Sequence, residues 1–417
     1  MTSTRTSSDQ PLHVVVAGGG VAGLETVMAL RDLAGGRVRI TLLEPSTNFV
    51  YRPLTVGEPF ALGPARAVSL AQFARDFDCE VVHDTVAQVF PDLHAVALQS
   101  GDELTYDKLV VTLGARREPA FKHVATFRGQ EDVEALHGLV QDVEEGYVRS
   151  IAFVVPAGVS WSLPLYELAL MTARRAYEMC VDVELTFITP EERVLPLFGS
   201  QASADVRAML DAAGVRVLCG YSPEIPSKGT VLLHPSGDWV EADRIVALPN
   251  VRGRRIAGLP TDSDGFLPID SFARVPGVKD VYAAGDGANF PVKQGGIATQ
   301  QADVLAAHIA RVAGVPVEVE PFRPVLRGQL LTGDKPHFMR RDLRAHNADN
   351  DASTEHMLWW PPTKVAGRYL APYIAVEEER ERASLAGPGV RRRAVIAPVA
   401  DDAGHETPLR GYEFVAR

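Results

Sequence analysis

Residues 12–44 read LHVVVAGGGVAGLETVMALRDLAGGRVRITLLE. The opening LHVVVA is a continuous apolar run, expected of a strand buried on both faces of a parallel sheet. GGGVAGLETVMALRDL then supplies a turn and an amphipathic helix, and VRITLLE a second buried strand, which together make a βαβ unit. Gly18-Gly19-Gly20-Val21-Ala22-Gly23 fits G-x-G-x-x-G between that strand and that helix. Gly18 permits the tight turn, Gly20 lets backbone approach a pyrophosphate, and Gly23 lets helix and strand pack closely. The helix start at Val21 and Ala22 offers free N–H groups and partial positive charge to phosphates. Glu44 closes the second strand, where a carboxylate accepts hydrogen bonds from ribose hydroxyls. The stretch therefore predicts an α/β dinucleotide-binding fold.

The chain has 417 residues, 46% of them apolar and 23% charged, enough for two or three domains with a large core. A net charge of −11 argues against a nucleic-acid partner. The start MTSTRTSSDQ is polar without an apolar h-region, which reads as a disordered leader rather than a signal peptide. No stretch approaches the roughly 18–20 apolar residues of a spanning helix. Cys79, Cys180 and Cys219 are isolated, with neither metal-ligand nor disulfide-framework spacing. The expectation is an intracellular, reduced, cytoplasmic protein with no metal.

A second strand–helix–strand series begins near Arg149 with SIAFVV, LPLYELALMTARRAYEM and DVELTFIT. Its turn, within VPAGVSWSLPLYE, holds one glycine, Gly158, and is crowded by Pro156, Trp161 and Pro164. Thr189 stands where a ribose-binding acid belongs, and Glu191 and Glu192 follow slightly later. The expectation is a persisting fold whose nicotinamide binding is weak or absent. Expected boundaries are 1–120 and 263–325 for the two parts of the first domain, 121–262 for the second, and 326–417 for a C-terminal extension. A helix from about Gly296 to Val312 closes the first domain.

Two further segments carry a resemblance. Tyr106–Ala115, YDKLVVTLGA, resembles the crossover strand of two-dinucleotide-domain flavoproteins, and VYAAGDGAN at 281–289 resembles their segment that brings an Asp to the flavin ribityl and phosphate region. With PVKQGGIATQQADVLAAHIA, these resemble the type II NADH dehydrogenases and sulfide:quinone oxidoreductases, including the flavoprotein subunit of flavocytochrome c sulfide dehydrogenase. The resemblance covers about residues 12–330. It implies two Rossmann-like (three-layer ββα) domains, FAD at the first site, and electrons passing from a small donor to a quinone. It further implies FAD contacts at Arg52 and Pro53, at Thr112 and Gly114, at Gly285 and Asp286, and at adenine-side Val86. The amides of Gly295–Ala298, Gly296 and Ile297 among them, would stabilise reduced flavin.

Tyr166-Glu167-Leu168-Ala169 matches the family's GxELA, which implies a Glu167 facing the flavin and moving protons. An exposed helix carboxylate is the alternative for Glu167. Lys293 either adds charge near reduced flavin or is solvated, the second being preferred. Gln300 and Gln301 fall near the family's quinone pocket or are plain helix glutamines. The paired cysteines of sulfide relay are missing. The main expectation is a sulfide:quinone-oxidoreductase-like enzyme without that relay. NAD(P)H oxidation and a low-turnover electron-transfer or redox-sensing flavoprotein are the alternatives.

In LWWPPTKVAGRYLAPYIAVEEERERA, residues 358–383, a helix is expected with Val365, Ala366, Tyr369, Leu370, Tyr373 and Ile374 in one stripe and Lys364 and Arg368 on its flank. Upstream, Phe338 and Met339 neighbour Arg340 and Arg341. Both stretches suit peripheral contact with the inner face of the cell membrane, or packing on the flavin domain or across a homodimer interface.

Overall fold

The computed structural model describes residues 10–344 and 351–385. The expected leader, apart from Gln10, and the polar C-terminal tail lie outside the described residues.

Strands β1 (Leu12–Ala17), β2 (Val38–Leu43), β3 (Glu80–Val82), β4 (Lys108–Val111) and β9 (Val281–Ala283) form one parallel sheet in the order β9-β4-β1-β2-β3. The apolar run explains its depth, since Val14 to Ala17 are fully buried. One face packs on α1 (Val21–Ala34) and α4 (Gly295–Val312). The other meets an antiparallel sheet of residues 86–105 through Val89, Val96 and Leu98. That is the expected ββα layering.

The second series repeats it. The strand Ala125–Thr126, then β8 (Arg244–Ala247), β5 (Ser150–Val154), β6 (Glu184–Thr189) and β7 (Val215–Cys219) lie side by side, all parallel. Helices α2 (Leu163–Glu178) and α3 (Gly199–Ala212) contribute to a core on one face, and an antiparallel sheet of residues 222–241 covers the other. The chain crosses between the two series on Ala115–Pro119 and returns on Pro249–Gly253, paired as an antiparallel ribbon.

The C-terminal segment departs from expectation. Strands β10 (Val325–Leu330), β11 (His337–Asp342) and β12 (Ala352–Thr354) form an antiparallel sheet. Phe338 and Met339 are buried, and Arg341 donates to the carbonyls of Pro196 and Leu197, so this stretch is not a basic-aromatic surface. Helix α5 (Leu370–Leu385), the last among the described residues, begins at Leu370 rather than before Val365. Backbone groups ahead of it are satisfied by side chains instead of a helix ladder: the Val365 N–H donates to the Tyr51 hydroxyl and its carbonyl accepts from Thr363 Oγ1. Pro372 lies in the first turn, where a missing N–H costs no ladder bond. Leu370, Tyr373 and Ile374 are buried in the core that also holds Leu24, Val27 and Phe73 of the first series, Tyr373 meeting the Phe73 ring edge to face, which is the flavin-domain packing among the alternatives. Among the described residues no helix is long and apolar enough to cross a membrane.

Candidate active site

At the first turn each glycine has a different neighbour. Gly18 has φ +113°, and a Cβ there would stand 2.5 Å from the Thr112 carbonyl oxygen. A Cβ on Gly23 would stand 1.9 Å from the Gly18 oxygen, so α1 rests directly on the turn. Gly20 is different: apart from its chain neighbours, nothing lies within 4 Å of where its Cβ would be. The turn is thus braced from within and bare on its outer side, ahead of the helix start at Val21 and Ala22, which fits a dinucleotide pyrophosphate. Glu44 Oε2 accepts from the Gly19 N–H at 2.7 Å, and Oε1 from the Ser46 N–H at 3.0 Å. Thr112 Oγ1 donates to the carbonyls of Ala17 and Gly18, so this residue fixes the turn's shape.

Charge gathers around the same place. Burial lowers the Arg52 pKa most, the Arg117 cation adds to that, and the Glu44 and Asp286 carboxylates oppose it. Pro53 follows Arg52 at the start of a 3₁₀ segment. Arg117 Nη2 lies 3.5 Å from Asp286 Oδ2, and Arg254 also acts on Arg52. Sequence reasoning missed Arg117 and Arg254, because only the 115–119/249–253 ribbon brings those arginines here and no local motif marks them. Gly114, with φ +66°, backs Gly287. The Gly285 N–H donates to Gln301 Oε1, while Gln301 Nε2 is buried without a partner. Val86 begins the antiparallel layer and is half-buried beside its core.

The start of α4 corrects several expectations. Gln294 caps it, its Oε1 accepting from the Ile297 N–H at 2.9 Å and its Nε2 donating to the Arg327 carbonyl. The Ile297 N–H is therefore taken, and the Gly295 and Gly296 amides are the ones that precede the ladder. Val365 presses on this end, 2.6 Å from a would-be Gly295 Cβ. Gln300 bonds the Gly296 carbonyl and both backbone groups of Val325, and Gln301 is held at Gly285, so both glutamines brace the fold. Lys293 is half-buried rather than solvated. Its ammonium donates to the Ala288 carbonyl and sits 3.7 Å from the Phe266 ring centroid. Burial brings its pKa down to about 8, against the carboxylates of Asp286 and Asp262.

Glu167, on α2, is fully buried rather than an exposed helix carboxylate. Its oxygens accept from Lys364 Nζ at 2.6 and 2.7 Å, and Oε1 from the Leu331 N–H at 2.8 Å. Burial raises its pKa, and the Lys364 cation opposes the rise. Lys364, expected on a helix flank, instead lies ahead of the helix and joins Glu167 next to the residue that covers Gly295.

The second turn is closed by its own side chains. Glu191 accepts from Ser162 Oγ at 2.9 Å, Tyr166 Oη at 2.6 Å and Thr189 Oγ1 at 3.0 Å. Burial raises the pKa of Glu191 and, helped by the Glu191 charge, that of Tyr166. The acid that might have replaced a ribose-binding carboxylate is thus turned inward onto the turn. Trp161 packs on Phe198 at 5.8 Å between ring centroids. Between this turn and Phe290–Val292 lies a cavity of about 590 Å³. Cys219 pairs in register with Thr189. All three cysteines are free thiols, and burial pushes Cys79 up to about 12.

Comparison with known proteins follows the same lines. The sequence model of the family described as pyridine nucleotide-disulphide oxidoreductase matches residues 12–304. Over 194 residues the chain is 32% identical to a sulfide-quinone reductase of Aquifex aeolicus, covering 43% of each chain. Over 330 residues it is 26% identical to an internal alternative NAD(P)H-ubiquinone oxidoreductase A1 of Solanum tuberosum mitochondria, covering 68% of this chain and 64% of that protein. The aligned parts span less than two thirds of either relative. The solved structure of the Aquifex aeolicus sulfide:quinone oxidoreductase superposes with a TM-score of 0.73 at 21% identity, covering 79% of this chain and 84% of the other. NDH2 of Plasmodium falciparum superposes at 0.63 with 12% identity, over 89% and 94%.

Proposed function

Because the chain belongs to the pyridine nucleotide-disulphide oxidoreductase family, we propose that it is an FAD-dependent enzyme passing electrons from a small donor to a quinone, with no nicotinamide bound at the second turn. The observation that carries this reading is the contrast between the two turns. The first is bare at Gly20, while the second is filled by the Glu191–Ser162–Tyr166 cluster. Bound FAD supplies a carrier that takes an electron pair from the donor and yields it to the acceptor.

The chain's own residues then have definite tasks. Gly18, Gly20 and Gly23 shape the pyrophosphate cradle, Glu44 holds the ribose end, and Arg52 and Arg117 offset phosphate charge. Gly295 and Gly296 present amides at the capped end of α4. Glu167 and Lys364 form a proton-holding pair sealed from water. Without a cysteine pair, the donor reaches the flavin directly. A peripheral membrane contact falls to Met357 and Trp360, which are 58% and 57% exposed. The test is anaerobic: dithionite-reduced protein mixed with menadione recovers its flavin absorbance if the reading holds. Failure of every quinone tried to restore it would contradict the acceptor assignment.

A further inference from the structure

The cavity beside the second turn is not used by the scheme above. Its walls include Val159, Trp161, Phe198, Phe290 and Phe322, and its one acidic group is Glu191. Phe290 and Phe322 meet edge to face at 5.3 Å. At about 590 Å³ it lies within the ~300–1,000 Å³ range of small-molecule sites, which are mostly apolar with a few placed polar groups. It also borders Phe290–Val292, the segment leading from Asp286 to the start of α4.

We propose that this cavity binds a neutral, planar, apolar ring compound of the quinone class, and that Glu191 keeps anionic ligands out. Three hydroxyl donors, from Ser162, Tyr166 and Thr189, converge on the Glu191 carboxylate, an arrangement that suits its ionised form. A half-buried carboxylate in the cavity wall repels a pyrophosphate, a sulfonate or hydrosulfide, whereas aromatic walls favour a flat neutral ring. Arg344 also lines the cavity but is solvent-exposed, where its charge is screened. Where the first turn carries glycines, this turn carries the apolar walls of the cavity. Use of the site by the electron acceptor rests on the proposed flavin-to-quinone reading, but binding does not.

The test is titration of the flavin-loaded, full-length protein with menadione, followed by tryptophan fluorescence. Quenching is expected in the native protein and is expected to lose most of its amplitude in Trp161→Phe. Val159→Glu, on the half-buried turn, should weaken binding by about tenfold or more with flavin content unchanged. Leu197→Glu serves as a second wall variant if the first loses flavin. 1,2-Naphthoquinone-4-sulfonate should bind at least about tenfold more weakly than menadione, and Glu191→Gln should narrow that gap. Equal binding of the two probes, or menadione binding untouched by either wall variant, overturns the proposal. If menadione reoxidises the reduced flavin at the same rate and KM in both wall variants, the acceptor reading stands but its site lies elsewhere. Binding here without reoxidation keeps the site and sinks the acceptor reading.

Discussion

Glu167 and Lys364, 197 positions apart in the chain, form an ion pair at 2.6 and 2.7 Å in which the carboxylate has no solvent exposure. The pair joins α2 of the second series to the segment that closes over the start of α4. Taking two charges out of water is costly, so each depends on the other.

Lys364→Met leaves a buried carboxylate without its cation and is expected to cost about 3–5 kcal/mol in chemical denaturation. The double variant Glu167→Gln/Lys364→Met should recover most of that loss, because neither charge remains. Glu167→Gln alone should slow acceptor reduction on the order of 10²-fold and remove one ionisation from the pH–rate profile. Equal effects on rate and on KM would mark a merely structural pair.

Gly20→Leu is expected to give a folded but colourless protein. Gly20 is exposed and, chain neighbours aside, nothing stands within 4 Å of the new Cβ, so the substitution intrudes on the outer side of the turn where a pyrophosphate would lie. Gly23→Ala, by contrast, drives a Cβ into the Gly18 carbonyl and should lose stability as well as flavin. Absorbance at the flavin band together with thermal melting separates the two. A fully yellow Gly20→Leu protein would contradict the first site.

Glu25, fully buried on α1, accepts from the Tyr369 and Leu370 N–H groups and so caps α5. Burial raises its pKa from 4.5 to about 7, against those backbone donors. Asp303, raised in the same direction by burial and then by Glu25, has its Oδ1 buried without a partner. Between the unfolded and folded values the folded state holds more protons, so this contribution to stability falls as pH rises. Relative to Glu25→Gln, the native protein should lose on the order of 2–3 kcal/mol between about pH 5 and about pH 8. Urea midpoints measured across that range check it, and parallel curves for the two proteins would refute it.

What sequence could disclose divides along the range of the interactions. The strand, glycine turn and carboxylate at 12–44 are local, so the α/β dinucleotide-binding fold and the bare Gly20 cradle were legible there, while the ββα layering followed only from the family resemblance. The poverty of the second turn was legible too, but the inward turn of Glu191 was not, because Tyr166 and Ser162 hydroxyls capture it only after α2 and β6 are side by side. Arg117 and Lys364 carry no motif, and strand pairing or long-range docking alone brings them to the site. The 365–374 stripe was correctly apolar, yet its helix starts late because Tyr51 and Thr363 side chains take the Val365 backbone groups. Periodicity records a buried face without naming what covers it, which is why membrane, the flavin domain and a dimer interface all stood as candidates.

The central claim is that one turn holds a dinucleotide and the other does not. It is tested most directly by anaerobic reduction of the purified yellow protein, followed at the flavin band, with NADH, NADPH and sulfide in turn. The account predicts no bleaching at a catalytic rate by either nicotinamide, whether or not sulfide serves as donor. Rapid bleaching by NADH would mean that the turn at 156–162 opens to a nicotinamide despite Glu191, and would contradict it.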